Sequence, residues 1–167
     1  MRHSTPTGTA FTATSPDQID DWSREVFKAL SDWAQAHDGR WLRYDPGYLL
    51  LEIDTFDGKE IDPILVDTAD EEVTVGFGYW EMHLPDQACD GDGAAREAVD
   101  LVSQWLSGQI RTAVFTDENG NWCGTMLVEQ SGPFPPRPSD GMAYFKPIRV
   151  EVRSPDRSAW QTFDLAS

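Results

Sequence analysis

The chain has 167 residues and is strongly acidic, with 29 Asp and Glu against 13 Lys and Arg, giving a formal net charge of -16 at pH 7. Hydrophobic residues make up 40% and aromatic residues 11%, which predicts a folded domain and excludes a disordered acidic tail. The charge argues against binding to nucleic acid or to anionic membranes, because both need clustered Lys and Arg. No apolar run approaches the ~18 residues that cross a bilayer, so no transmembrane helix is expected.

The N-terminal segment differs in composition from the rest of the chain. Residues 1–14 are mostly Ser, Thr, Pro, Gly and Ala, without the apolar core of a secretory signal. We therefore predict a flexible leader over residues 1–14 and a single α+β domain over residues 15–167. Cys89 and Cys123 stand far apart and indicate neither a disulfide framework nor a metal-binding pair. Reduced thiols and a cytoplasmic location are the expectation.

The first predicted element is an amphipathic helix over residues 16–37. Ser15 and Pro16 suit a helix start, Gln18 completes a capping box, and Gly39 stands where a left-handed residue would end the helix. Apolar residues recur at helical spacing along one face. They are Ile19, Trp22, Val26, Leu30 and Trp33.

From Trp41 the hydrophobic period changes to two, which is typical of strands. Turn residues separate the runs 41–44, 48–56, 64–68 and 72–84. The last run predicts one long strand, with its glycines under a packed neighbour. Its core face would carry Val73, Val75, Phe77 and Tyr79.

The second half begins with a helix that Asp90 or Asp92 caps and Gly108 ends. Asn119-Gly120 between alternating runs then predicts a type I′ hairpin that places Phe115 opposite Gly124. The core face of this hairpin would contain Ala113, Trp122, Met126 and Val128.

The proline-rich stretch 131–140 predicts a loop, because proline has no amide hydrogen to donate to a central strand. Residues 133–138 contain overlapping PxxP spacings, which favour either a polyproline II ligand or a rigid loop. A final hairpin is predicted from residues 144–153 and 159–165. The fold class is therefore α+β, a largely antiparallel sheet of about seven to eight strands packed against two amphipathic helices.

The negative charge is concentrated in the middle of the chain. Residues 45–100 hold sixteen acidic residues against Lys59 and Arg96, and so carry -14 of the net charge. If the strands of this segment are neighbours, their carboxylates meet on one side or rim of the sheet. One interpretation is a solvated surface that maintains solubility, and the other is a docking surface for a basic protein. The predicted partner-binding residues are Asp54, Glu60, Asp62, Asp67, Asp70, Glu71 and Glu72.

Glu81 and His83 are the candidates for catalysis. On the predicted long strand they continue the face of Val73 and Phe77, and Asp86 and Cys89 follow closely. A carboxylate beside an imidazole suits acid–base work or metal binding, although polar residues are also ordinary at a strand end. No cofactor motif or metal spacing is recognisable, so neither a cofactor nor a metal is predicted.

The sequence favours a non-catalytic acidic domain that binds a basic protein. Two uses fit this physics. One is an immunity or inhibitor protein that covers the substrate groove of a toxin such as a nuclease, and the other is a secretion-type chaperone. The alternative from a different class is a small hydrolase or metal-dependent enzyme that uses the Glu81 and His83 region.

Overall fold

The computed structural model describes residues 8–12, 18–55, 63–84 and 90–165. The chain divides into two compact units, residues 1–103 and residues 104–167. The predicted α+β class is confirmed, since the described residues form antiparallel sheets of six and four strands together with helices. Two more strands than predicted arise because residues 9–10 pair with the sheet and the run 72–84 is a hairpin.

The first unit contains a six-stranded antiparallel meander in which each strand lies beside its neighbour in sequence. Its strands are β1 (Thr9–Ala10), β2 (Arg40–Tyr44), β3 (Tyr48–Ile53), β4 (Ile64–Asp67), β5 (Val73–Phe77) and β6 (Trp80–Leu84). Within the predicted leader, β1 pairs with β2 and Phe11 is buried, so this part of the segment belongs to the fold. Residues 1–7 and 13–17, and with them the predicted Ser15-Pro16 helix start, lie outside the described residues.

Helix α1 (Asp21–Ala36) is shorter than predicted at its N-terminus. Asp20 caps it, because its side chain accepts a hydrogen bond from the Ser23 amide at 2.7 Å. At the other end the left-handed residue is Asp38, with φ 53°, and the predicted role of Gly39 is wrong. Position 39 needs a small residue for another reason, because a Cβ there would lie 2.7 Å from Leu51 Cδ1.

One face of the six-stranded sheet is apolar and buried. Val26, Leu30 and Ala34 of α1 are buried, and α1 lies against β3. Burying each such aliphatic side chain contributes about 1.5–3 kcal/mol. The buried residues on this face of the sheet are Leu49, Leu51, Ile53, Ile64, Val66, Val73, Val75, Phe77 and Leu84.

Helix α2 (Gly91–Leu106) has the predicted ends. Asp90 Oδ1 accepts from the Gly93 amide at 2.9 Å, and Gly108, with φ 74°, follows the last turn in the left-handed region.

The predicted long strand 72–84 is instead the hairpin β5–β6. Phe77 pairs with Trp80, so Gly78 and Tyr79 form a two-residue turn, with Gly78 at φ 63°. Gly76 does not lie under a packed neighbour, since the closest atom to a Cβ there would be 3.7 Å away. Because the chain reverses direction at this turn, every residue after it lies at a different position on the sheet from the one predicted.

The second unit contains a four-stranded antiparallel sheet in the order β10-β9-β7-β8. Its elements are β7 (Ile110–Thr116), β8 (Trp122–Glu129), the short helix α3 (Asp140–Ala143), β9 (Arg149–Arg153) and β10 (Gln161–Asp164). The predicted final hairpin is present as β9–β10, and the proline-rich stretch is a loop up to α3. Its core is formed by Ala113, Phe115, Cys123, Val150 and Val152.

The β7–β8 hairpin confirms the predicted pairing of Phe115 with Gly124 but not its turn. Gly120 has positive φ and its amide donates to the Asp117 carbonyl, which closes a turn one residue longer than type I′. A register shift beside Phe115 then turns Cys123 into the core and leaves Trp122 49% exposed. The prediction that Trp122 is a core residue is therefore wrong.

Candidate partner-binding surface

The second face of the six-stranded sheet carries the carboxylates. Strand register aligns Arg40, Glu52, Leu65, Gly76 and Glu81 in one row across β2 to β6. Directly opposed residues in antiparallel strands point to the same face, and so do residues two apart. The next row therefore adds the residues Leu42, Leu50, Asp67, Thr74 and His83 to the same face.

We call this surface the acidic face and define it by five carboxylates. Glu52 and Asp54 both contact Arg40, and Glu72 contacts His83, which places them on the same side as Asp67 and Glu81. The expectation that carboxylates of neighbouring strands converge is met for these residues. The acidic face consists of Glu52, Asp54, Asp67, Glu72 and Glu81.

Arg40 compensates part of this charge. Its guanidinium nitrogen lies 3.2 Å from Glu52 Oε2 and 3.5 Å from Asp54 Oδ1. The Arg40 and Asp54 side chains are 61% and 65% exposed, and ion pairs between such exposed groups stabilise a fold by about 0–1 kcal/mol. The pairing therefore orders both carboxylates; Asp54 stays exposed, whereas the Glu52 side chain is only 15% exposed.

Two tyrosines hold carboxylates in place through hydrogen bonds. The Tyr44 hydroxyl donates to Asp67 at 2.5 Å, and the Ala69 amide donates to the same carboxylate at 2.8 Å. The Tyr48 hydroxyl donates to Asp70 Oδ1 at 3.1 Å. Burial and the hydrogen bond to Asp67 raise the pKa of Tyr44, and the hydrogen bond to Asp70 raises the pKa of Tyr48. Both phenols therefore keep their protons and remain hydrogen-bond donors to the carboxylates.

The turn between β4 and β5 forms an acidic rim beside this face. Asp70 and Glu71 are exposed and have φ of 58° and 59°, so two consecutive residues other than glycine are left-handed. Such backbone conformations cost about 1–3 kcal/mol each and persist only where surrounding contacts impose them. The Tyr48–Asp70 hydrogen bond is one such contact, and the turn presents three successive carboxylates, Asp70, Glu71 and Glu72.

Glu81 and His83 do not occupy the predicted face. They pair with Gly76 and Thr74, which lie on the face of β5 away from the core. Glu81 and His83 are therefore on the acidic face and not on the core face. His83 Nδ1 lies 2.9 Å from Glu72 Oε2 and 3.0 Å from Thr74 Oγ1. The imidazole is thus held by a carboxylate on the acidic face, and it is 61% exposed.

Several predicted site residues lie outside the described part of the chain. These are Glu60 and Asp62 of the partner-binding set, together with Asp86 and Cys89 near the catalytic candidates. Sequence reasoning missed Arg40, Tyr44 and Tyr48, which support the acidic face from β2 and β3. The alternation of Arg40, Leu42 and Tyr44 was the signal available, because it places these residues on one face of a strand.

Among the described residues no group of three or more His, Cys, Asp or Glu side chains is arranged to hold a metal ion. The helices described are all too short or too polar to cross a membrane. Comparison with protein family models, curated proteins and solved structures finds no match to this chain.

Proposed function

We propose that the acidic face and its rim bind a positively charged surface of a partner protein, and that the chain acts without catalysis. The observation that carries this proposal is the placement of carboxylates from β3, β4 and β6, and of Glu72 just before β5, on one face, while the opposite face is the apolar core. A cytoplasmic site of action is part of the proposal.

The geometry of a sheet suits this task. Neighbouring strands lie ~4.8 Å apart, so carboxylates on them form an array at a spacing fixed by the backbone. A nuclease groove carries Lys and Arg that neutralise phosphates, and a fixed array of carboxylates competes for the same cations. We therefore favour an immunity or inhibitor protein for a toxin such as a nuclease.

A variant with four amide substitutions tests the location of binding. We choose Asp54→Asn, Asp70→Asn, Glu71→Gln and Glu72→Gln, and we leave Asp67 intact because Tyr44 and the Ala69 amide depend on it. The matched control changes four exposed acids of the second unit: Glu118→Gln, Glu129→Gln, Asp140→Asn and Asp164→Asn. Both variants alter the net charge by the same amount.

The partner is first captured from the source cell at low salt and identified by mass spectrometry, and its Kd for each purified variant is then measured. We expect the acidic-face variant to bind at least tenfold more weakly and the control to bind within about threefold of the parent. Equal weakening of both variants would show that total charge matters and that the acidic face is not the contact.

The salt dependence of association gives a second measurement. Electrostatic steering is screened beyond a Debye length, which is ~8 Å at physiological ionic strength. The association rate constant should fall several-fold between low salt and 0.5 M NaCl, measured by stopped-flow fluorescence. A rate constant that does not respond to salt would contradict docking through charge.

One observation favours a second candidate function. Glu72 beside Nδ1 of His83 is the arrangement that orients an imidazole for general base catalysis. An enzyme of this kind would lose turnover on His83→Ala or Glu72→Gln, measured against a panel of ester and phosphodiester substrates. The binding proposal instead expects no turnover by the parent and only a small loss of affinity in either variant.

A further inference from the structure

The second unit has an exposed apolar surface of its own. Of the six large hydrophobic residues that are exposed in the described part of the chain, five lie in this unit and only Met82 lies in the first. Tyr144 is 84% exposed, Phe145 58% and Phe134 53%. Exposed aromatic residues that cluster in this way mark interaction surfaces in soluble proteins.

Phe134, Phe145 and Ile148 line two adjoining clefts, and the ring of Tyr144 packs edge-on against Phe145 with centroids 5.4 Å apart. One cleft, of about 670 Å³, is lined by Phe134 and the prolines of residues 133–138, and the other, of about 660 Å³, is lined by Phe145 and Ile148. Pro147 and Leu165 line both clefts, so the two clefts adjoin each other. We call this surface the aromatic groove and define it by Phe134, Tyr144, Phe145, Pro147, Ile148 and Leu165.

The charge of the molecule restricts what can cover this groove. The first unit has 22 acidic and 7 basic residues, a net charge of -15, whereas the second has 7 and 6, a net charge of -1. Two copies of the chain that met through the first unit would bring like charges together. The second unit is the part through which a copy can approach another at little electrostatic cost.

The groove also carries charges of both signs. Lys146 lines it together with Asp117 and Glu118, and Arg137 lines it together with Asp164. In a two-fold contact the same surface of each subunit meets itself, so a cation of one copy can face an anion of the other. A surface with an apolar centre and charges of both signs beside it is therefore complementary to the same surface of a second copy.

We propose that the aromatic groove is covered by a second copy of this chain, in a two-fold dimer formed through residues 104–167. The inference does not depend on the proposed function, because it concerns the nearly neutral second unit and not the acidic face of the first unit. The two proposals also respond differently to salt. Screening weakens a complex with a basic partner, but it favours the dimer because it reduces repulsion between two chains of net charge -16.

Sedimentation equilibrium of the full chain, at protein concentrations from 1 to about 200 µM, tests the dimer. We expect a monomer–dimer equilibrium whose Kd is unchanged or lower in 0.5 M NaCl than in 0.05 M NaCl. The variant Tyr144→Ser/Phe145→Ser should raise this Kd by about tenfold or more, because aromatic side chains dominate interface energetics. The control Met82→Ser removes an exposed apolar side chain of the first unit and should leave Kd within about twofold.

A chain that remains monomeric throughout this concentration range would overturn the proposal, and would leave the groove to another ligand. The same conclusion would follow if the aromatic variant, with an unchanged circular dichroism spectrum, dimerised as well as the parent. A dimer that dissociates in 0.5 M NaCl would show that charge and not the aromatic groove holds it. None of these results affects the acidic-face variants, which report on the proposed function alone.

Discussion

At the scale of single residues, a buried pair of hydroxyls ties α1 to the sheet. Ser23 Oγ and Thr68 Oγ1 lie 2.6 Å apart, both residues have no exposed surface, and Thr68 Oγ1 also accepts from the Leu49 amide at 2.9 Å. Buried polar groups are costly to leave without partners, so this small network fixes how α1 meets β3 and the turn after β4.

Thr68→Val should therefore destabilise the protein. Valine has nearly the same shape, but it leaves the Ser23 hydroxyl and the Leu49 amide without their partner, which costs about 1–3 kcal/mol. The free energy of unfolding in urea measures the loss. Thr162→Val, the same substitution at an exposed strand position, should change it by less than about 0.5 kcal/mol. Equal effects at the two positions would refute the role of the buried network.

Asp117 shows how a turn sets the charge of one residue. Its carboxylate accepts from the Asn121 side chain and from the Asn121 and Asn119 amides, and these bonds lower its pKa from the ordinary 3.8. A lowered pKa in the folded state means that the stabilisation is complete above about pH 4 and is lost as pH falls through the folded-state pKa.

A carboxyl NMR titration of the folded protein should place the Asp117 midpoint below 3.8. Asn121→Ala removes the side-chain donor, which is the largest cause, and should move the midpoint upward. A midpoint in the parent at or above 3.8, or one that Asn121→Ala leaves in place, would contradict the assignment.

At the scale of elements, the β5–β6 hairpin decides where Glu81 and His83 lie. Gly78→Ala places a side chain at φ 63° in its turn, and left-handed conformations cost residues other than glycine about 1–2 kcal/mol. We expect a lower urea midpoint for this variant. Gly76→Ala is the matched control, because a Cβ there has ordinary contacts and an alanine in a strand is neutral or stabilising by up to about 1 kcal/mol. If both variants behaved alike, the hairpin turn would be wrongly placed.

The elements also show what periodicity can and cannot predict. The class of each predicted helix and strand followed from its hydrophobic period, and both helix regions and the 115–124 pairing were correct. The hairpin at Gly78-Tyr79 was missed because Val73, Phe77, Tyr79 and Glu81 alternate without interruption across a two-residue turn. Alternation has the same period before and after such a turn, so only the partner strand reveals the change of direction.

The candidate surface was predictable in part for a similar reason. The charge count located the acidic segment, and the expectation that its strands are neighbours predicted that their carboxylates meet on one side or rim of the sheet. The supports from other strands were not predictable, because Tyr44, Tyr48 and Arg40 reach the carboxylates through strand order and register. The turn at Asp70 and Glu71 was also missed, since no local signal favours two left-handed acidic residues.

At the scale of the whole molecule, the concentration of charge implies a conflict between stability and binding. Carboxylates gathered on one face repel each other, and net charge of this size destabilises a compact state. Natural proteins tolerate such destabilising arrangements mainly where function requires them. Neutralising the acidic face should therefore stabilise the fold and weaken binding to the partner at the same time.

The acidic-face variant, with amides at positions 54, 70, 71 and 72, should therefore unfold at a higher urea concentration than the parent at low salt. Surface-charge changes of this kind stabilise proteins by about 0.5–2 kcal/mol. The gain should shrink in 0.5 M NaCl, because salt already screens the repulsion in the parent. The control variant, with amides at positions 118, 129, 140 and 164, should gain less, since its unit has a net charge of only -1. If the control gained as much as the acidic-face variant, the repulsion would be spread over the whole chain. The acidic face would then carry no particular cost in stability, and this argument for its role in binding would fail.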